Sequence, residues 1–151
     1  MPEMQAPDRI EPKALWDYLD VMSRAVLQSG ISWRVVESKW PGIREAFHGF
    51  DAASVAGMDE AELEEVANDT RVIRNRRKLA AVVTNAQRMI ELEDEHGSFK
   101  NYLRAGNDFG DTVTRMRKDF KFLGEMGCYY MLYVVGEKVP DHDEWEASRK
   151  K

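Results

Sequence analysis

One cysteine, Cys128, stands among 151 residues, which excludes an internal disulfide and fits a reducing compartment. Its apolar neighbours suit core packing. No apolar run approaches the roughly 18 residues that span a bilayer, and the N-terminus lacks the charged-then-apolar order of a signal peptide. The expected setting is the cytoplasm, with no membrane partner. Nothing alternates with the period of a strand for long enough to matter, and there is no internal repeat or low-complexity segment. The fold class this leaves is all-α. The net charge of −5 argues against indiscriminate nucleic-acid binding, although a local basic patch would suffice for a specific contact.

What the chain does contain is apolar residues at helical spacing. It is 43% hydrophobic and 32% charged, and a chain of this length buries about 70% of its unfolded surface as one domain. The organising stretch is Arg71 to Asp94. Leu79, Val82, Val83, Ala86, Met89 and Ile90 recur there at three- and four-residue steps, so one face of a long helix must be buried. Asn75 reads as its N-cap. Arg76, Arg77 and Lys78 follow, with Arg71 and Arg74 just before. Cations in a first turn oppose the helix dipole, each at a cost of roughly 0.3–1 kcal/mol when exposed. An anionic partner would offset that cost, and so would a solvated network with Glu62, Glu64 and Glu65.

The polar, unperiodic residues 1–11 read as a mobile lead-in, residues 12–146 as the helical domain, and 147–151 as a basic tail. Pro12 fits the first turn of a helix that runs to about Ser29, with Gly30 as its C′ residue. Ser32 caps a short helix to Lys39, and Pro41 starts another to Phe47. A turn at Gly49-Phe50-Asp51 leads to two brief helices, Asp51 to Gly57 and Met58 to Asn68, the second capped by Asp59. His96 sits favourably at the negative end of the long helix. Ser98 caps a further short helix, and two more follow at Asp111 to Asp119 and Gly124 to Val135.

Those last two, joined through Phe120-Lys121-Phe122-Leu123-Gly124, form a helix-hairpin-helix candidate spanning Thr112 to Tyr133. In such a hairpin the amides at the second helix's start point outward, and a glycine lets a phosphate approach. Lys121, Arg115, Arg117 and Lys118 add positive charge. Any two consecutive helices also need a turn.

Five runs then occur in a recognisable order: Gly30-Ile31-Ser32-Trp33; Ala46-Phe47-His48-Gly49-Phe50-Asp51; Val72-Ile73-Arg74-Asn75-Arg76-Arg77-Lys78-Leu79 with Asn85-Ala86; Gly97-Ser98-Phe99; and Phe120 to Gly124. Together they resemble the DNA-3-methyladenine glycosylase I family of base-excision repair enzymes, over roughly Gln28 to His142. The resemblance implies a single helical domain of the helix-hairpin-helix glycosylase type. It also implies a monomer that flips an alkylated adenine from duplex DNA and hydrolyses its N-glycosidic bond, without a cofactor. Carried over by position, Trp33 packs at the base pocket and Gln28 lies beside it. Phe120, Lys121 and Gly124 grip the DNA backbone, with Arg74, Arg76 and Arg77 as further DNA contacts. Trp33 also reads as an ordinary packing residue.

The chain departs from the family in three places. The family's base-contacting glutamate, eight residues before the tryptophan, is replaced by Ala25. Asp17, Asp20 and Glu37 are the nearest acids, and Asp20 has the i,i+4 spacing of a surface pair with Arg24. The family's structural zinc lacks its ligands: the N-terminal arm has no cysteine or histidine, and Glu146 stands where a second cysteine would follow His142. Asp141 and Asp143, soon after the helix that follows the hairpin, are candidate catalytic acids by analogy with other helix-hairpin-helix glycosylases, and equally a solvated acidic turn. The alternative function is a non-catalytic DNA-binding module that kept the hairpin and lost the pocket.

Overall fold

Among the described residues the chain forms nine α-helices and no strand. They are α1 (Leu15–Gln28), α2 (Trp33–Ala46), α3 (Ala52–Ala56), α4 (Glu60–Ala67), α5 (Arg76–His96), α6 (Phe99–Leu103), α7 (Phe109–Asp119), α8 (Glu125–Val134) and α9 (His142–Arg149), with one 3-10 turn at His48–Phe50. This computed structural model describes residues 9–29 and 31–149. Most of the expected lead-in, the expected helix stop at Gly30, and Lys150 and Lys151 of the expected tail lie outside the described residues.

The longest helix, α5, begins and ends on its own signals. The Asn75 side chain accepts from the Lys78 amide at 3.2 Å, and Gly97 closes the other end in a left-handed conformation at φ 85°, as a C′ glycine does. Leu79, Val82, Val83, Ala86 and Met89 are buried as their spacing requires, and Leu92 extends the stripe while Ile90 is half-buried. Helices α1, α3, α4 and α6 pack against this helix. Each large aliphatic side chain buried there contributes about 1.5–3 kcal/mol, which makes α5 the spine of the core.

Three helix boundaries differ from the sequence expectation. Helix α1 starts at Leu15 rather than at Pro12, because the Asp17 carboxylate accepts from the amides of Lys13 and Ala14 at 2.8 and 3.3 Å and fixes the entry one turn later. Helix α7 starts at Phe109, two residues before Asp111, since Asp108 supplies the cap by accepting from the Asp111 amide at 2.8 Å. The two short helices expected around Pro41 are one continuous helix, α2. Pro41 removes a backbone hydrogen bond. Val36, Trp40, Ile43 and Phe47, however, form one uninterrupted buried stripe on either side of it, and that burial holds both halves on a common axis.

The turn after α2 is left-handed throughout, with φ of 57° at His48, 67° at Gly49 and 61° at Phe50. Two of these are L side chains at a cost of about 1–2 kcal/mol each. Phe50 offsets it by full burial against Trp40 and Phe47, at ring distances of 5.3 and 5.7 Å. The His48 imidazole meets the Glu62 carboxylate at 2.5 Å. Cys128 is buried, and burial pushes its thiol up to about 12.

A Cβ added at Gly49 meets no atom within 4 Å, so Gly49→Ala isolates the backbone term. The expected result is a loss of about 1 kcal/mol of stability in urea unfolding with an unchanged m-value.

Candidate nucleic-acid interface

The hairpin between α7 and α8 is shaped by which residues can be buried. Phe120 and Leu123 point inward, Phe120 against the rings of Phe99 and Tyr102 at 6.1 and 6.3 Å. Between them Phe122 adopts φ 56° and is left 43% exposed. Gly124 is the N-cap of α8, no side chain caps that helix start, and a Cβ added at Gly124 meets nothing within 4 Å. The positive end of a helix dipole therefore faces open space across a glycine, the arrangement that admits a phosphate oxygen.

A buried amide holds the turn. Asn85, 1% exposed in the middle of α5, donates from Nδ2 to the Lys121 carbonyl at 3.1 Å and accepts at Oδ1 from the Lys121 amide at 2.8 Å. Two turns earlier on α5, Lys78 is also buried, and its ammonium donates to the Ser29 carbonyl just past α1. Desolvation lowers the Lys78 pKa. Neither role was anticipated from sequence. The available signals were a lone amide set among the apolar residues of α5 and a lysine one position before the first buried leucine.

Ser29, Arg117, Lys118, Phe120, Phe122, Leu123 and Gly124 line a groove of about 480 Å³. The Arg77 guanidinium lies 5.6 Å from the Phe122 ring at its edge. Among the described residues, no carboxylate is ion-paired with Arg77, Arg117, Lys118 or Lys121. The neighbouring cations differ. Arg76 is held by Glu60 at 2.8 Å and by Glu64. Arg71 is held by Asp69 at 2.7 Å and by Glu45, and its hydrogen bonds lower the Asp69 pKa to about 2. Arg74 lines a second groove of about 460 Å³, with Ile31, Val35, Lys39, Thr70, Val72 and Ile73. Of the three arginines singled out from sequence, Arg77 alone joins the hairpin.

Trp33 is the first residue of α2, after Ser32 caps the helix by accepting from the Arg34 amide at 3.2 Å. Its ring is 50% exposed, with the Arg34 guanidinium 5.7 Å from its centre. A tryptophan exposed to this degree is not part of the buried core. Gln28 is the last residue of α1, immediately before the groove residue Ser29.

The family model for methyladenine glycosylase matches residues 7–119. The chain belongs to the methyladenine glycosylase family. It is 33% identical over 136 aligned positions to the DNA-3-methyladenine glycosylase of Haemophilus influenzae, covering 76% of this chain and 73% of that one. It is 28% identical over 136 positions to DNA-3-methyladenine glycosylase 1 of Escherichia coli, covering 76% and 72%. The structure of 3-methyladenine DNA glycosylase I from Staphylococcus aureus matches with a TM-score of 0.73 over 87% of this chain and 79% of that one, at 24% identity. That last likeness is one of fold. The all-helical domain expected from the resemblance is the observed one.

As a methyladenine glycosylase the chain has an altered periphery. A structural zinc does not fit it. His142 faces the Glu146 carboxylate at 3.9 Å, and among the described residues no group of three or more histidine, cysteine, aspartate or glutamate side chains is placed to hold a metal. Ala25 is buried where α1 meets α8, and a Cβ on Gly127 would lie 3.5 Å from its own. Asp141 caps α9, accepting from the Glu144 amide at 3.2 Å. Asp143 is fully exposed beside His142. Neither lines the hairpin groove. Trp145 fixes α9 by stacking on Tyr129 at 4.6 Å, and the Tyr129 hydroxyl donates to the Pro140 carbonyl at 2.6 Å.

Asn85→Ala removes both partners of the Lys121 backbone at once. The expected outcome is a loss of about 1–3 kcal/mol in denaturant unfolding and faster hydrogen exchange at the Lys121 amide, measured by NMR.

Proposed function

We propose that the chain is a monomeric DNA glycosylase of the 3-methyladenine type, which extrudes an alkylated adenine from duplex DNA and hydrolyses its glycosidic bond. The observation that carries this reading is a juxtaposition. Among the described residues, Arg117 and Lys118 line the groove at an open helix start without ion-pair partners, Arg77 lies over Phe122 of the same hairpin, and Trp33, four residues after the groove residue Ser29, is half-exposed. The first feature suits a sugar-phosphate backbone, and the second suits the face of a base. Phe122 at the rim offers an apolar edge to the sugar.

The chemistry asks little of the protein beyond recognition. An adenine methylated at N3 carries a positive charge, so when the bond to C1′ breaks the base takes both electrons and leaves neutral. Water oxygen bonds to C1′ and its proton passes to solvent. Flipping costs a few kcal/mol, least at a damaged base, and stacking on Trp33 with an edge contact from Gln28 offsets it. In this reading Asp141 and Asp143 serve the start of α9 and take no part in the reaction.

Single-turnover release of 3-methyladenine from methylated duplex DNA tests the proposal. Wild-type protein is expected to release the base. Trp33→Ala is expected to lower the rate by at least about tenfold, the equivalent of one lost stacking contact, while duplex binding persists. Salt-sensitive binding with no release by the wild type would favour the non-catalytic module instead.

A further inference from the structure

Beside Trp33 the fold leaves one carboxylate with unused capacity. Asp20 on α1 is saturated: Oδ1 accepts from Arg24 Nε at 3.1 Å, and Oδ2 accepts from Trp40 Nε1 at 3.2 Å and from Arg44 Nε and Nη2 at 3.1 and 2.8 Å. Glu37 on α2 is not. Its Oε2 accepts from Arg24 Nη1 at 2.6 Å, while Oε1 has no hydrogen-bond partner among the described residues, and the side chain is 38% exposed. Arg24 lies over the Trp40 ring at 4.7 Å, so the guanidinium that holds Glu37 is itself fixed. Asp20 and Glu37 together balance Arg24 and Arg44, and Glu37 does so through one of its two oxygens.

Glu37 is one helical turn after Trp33, and side chains four apart share a helix face. On α8, which packs on α1, Tyr130 is half-buried; burial raises the pKa of its hydroxyl, which also feels the charges of Arg24, Glu37 and Asp20. Met126, one turn before Tyr130, is 47% exposed. An oriented carboxylate oxygen with free lone pairs, one helical turn from a half-exposed tryptophan, suits a flat ring that carries positive charge. The carboxylate attracts the charge, and the ring faces favour a cation over a neutral base.

We propose that Glu37, held by Arg24, is the carboxylate that meets the extruded cationic base, contributed from α2 where Ala25 supplies none from α1. This inference rests on the reading of the chain as a glycosylase for alkylated adenine. It makes Glu37 a specificity-determining residue, acting through charge and an accepted hydrogen bond, with no proton transfer required.

The experiment compares wild type, Glu37→Gln and Glu37→Asp in single-turnover release from methylated duplex, in affinity for a duplex carrying a tetrahydrofuran abasic analogue, and in thermal melting. Glutamine still accepts from Arg24, so melting should not change. The expected result for Glu37→Gln is release slower by about 10- to 100-fold, the equivalent of one charge-assisted hydrogen bond, with unchanged affinity for the abasic analogue, which has no base to read. Glu37→Asp, which keeps the charge, should recover part of the rate. Wild-type release with no effect of Glu37→Gln overturns the role of Glu37 and leaves the glycosylase reading standing. A parallel fall in abasic affinity or melting temperature makes the residue structural and overturns it equally. A wild type inert on methylated DNA removes the glycosylase reading, and this inference with it.

Discussion

Two hydrogen bonds between the Asn85 side chain and the backbone of Lys121 join the long helix to the hairpin, and the geometry of the groove depends on them. A left-handed phenylalanine at position 122 costs about 1–2 kcal/mol, comparable with what the clamp returns at about 0.5–1.5 kcal/mol per bond. Burial of Phe120 and Leu123 on either side tips the balance further. With both flanking side chains committed inward and the amide of Lys121 pinned, the Phe122 ring has nowhere to go but the rim. The exposed ring is thus a consequence of what its neighbours bury.

Helix α5 fixes a second element by the same device. Lys78 and Asn85 are seven residues apart, about 10.5 Å along the axis, and each binds backbone belonging to another helix end: Ser29 past α1, Lys121 before α8. The spacing between the end of α1, where Gln28 and Trp33 flank the linker, and the hairpin is therefore set by one rigid rod. A buried ammonium is costly, and its site lessens that cost, because the carbonyls at a helix C-terminus carry the negative end of the dipole. The cationic first turn of α5 resolves into three fates on this account. Arg76 turns to Glu60 and Glu64, Lys78 turns inward to the end of α1, and Arg77 remains over Phe122.

How far the sequence discloses this follows from the range of each interaction. Caps are local, so Asn75, Asp59, Asp51 and Ser98 could be read directly as helix starts. Pro41 misled because its local penalty is visible in the chain while the stripe of Val36, Trp40, Ile43 and Phe47 that outweighs it becomes decisive only on packing. The arginines show the same limit. Arg71, Arg74, Arg76 and Arg77 are alike in sequence, and only the placement of Glu45, Glu60 and Glu64 separates the neutralised Arg71 and Arg76 from Arg74 and Arg77, which have no carboxylate partner among the described residues. The Phe120 to Gly124 turn between two helices was legible in the sequence, while Trp33 was singled out by family resemblance alone. Asn85 and Lys78 were not, because their partners lie 36 and 49 residues away in the chain.

Ala25 supplies no acid at the α1–α8 contact, where it is buried. A Cβ on Gly127 of α8 would lie 3.5 Å from the Ala25 Cβ, an ordinary van der Waals contact, so the two helices approach closely through a pair of small residues. Helix α8 carries the start that faces the groove, and its close contact with α1 at these residues sets where that start lies. In the proposal for Glu37 the acid comes instead from α2, one turn after Trp33. The proposed substrate, a cationic base, is compatible with an acid on either helix. A cationic leaving group departs readily, so the protein's contribution is weighted toward binding the extruded base rather than toward a proton delivered along one fixed line. Charge attraction falls off gradually with distance and depends weakly on direction, whereas a proton donor must sit within hydrogen-bond reach of one atom. A family whose chemistry rests on the former can move its carboxylate from one helix to the next and keep the grip on the backbone where it was.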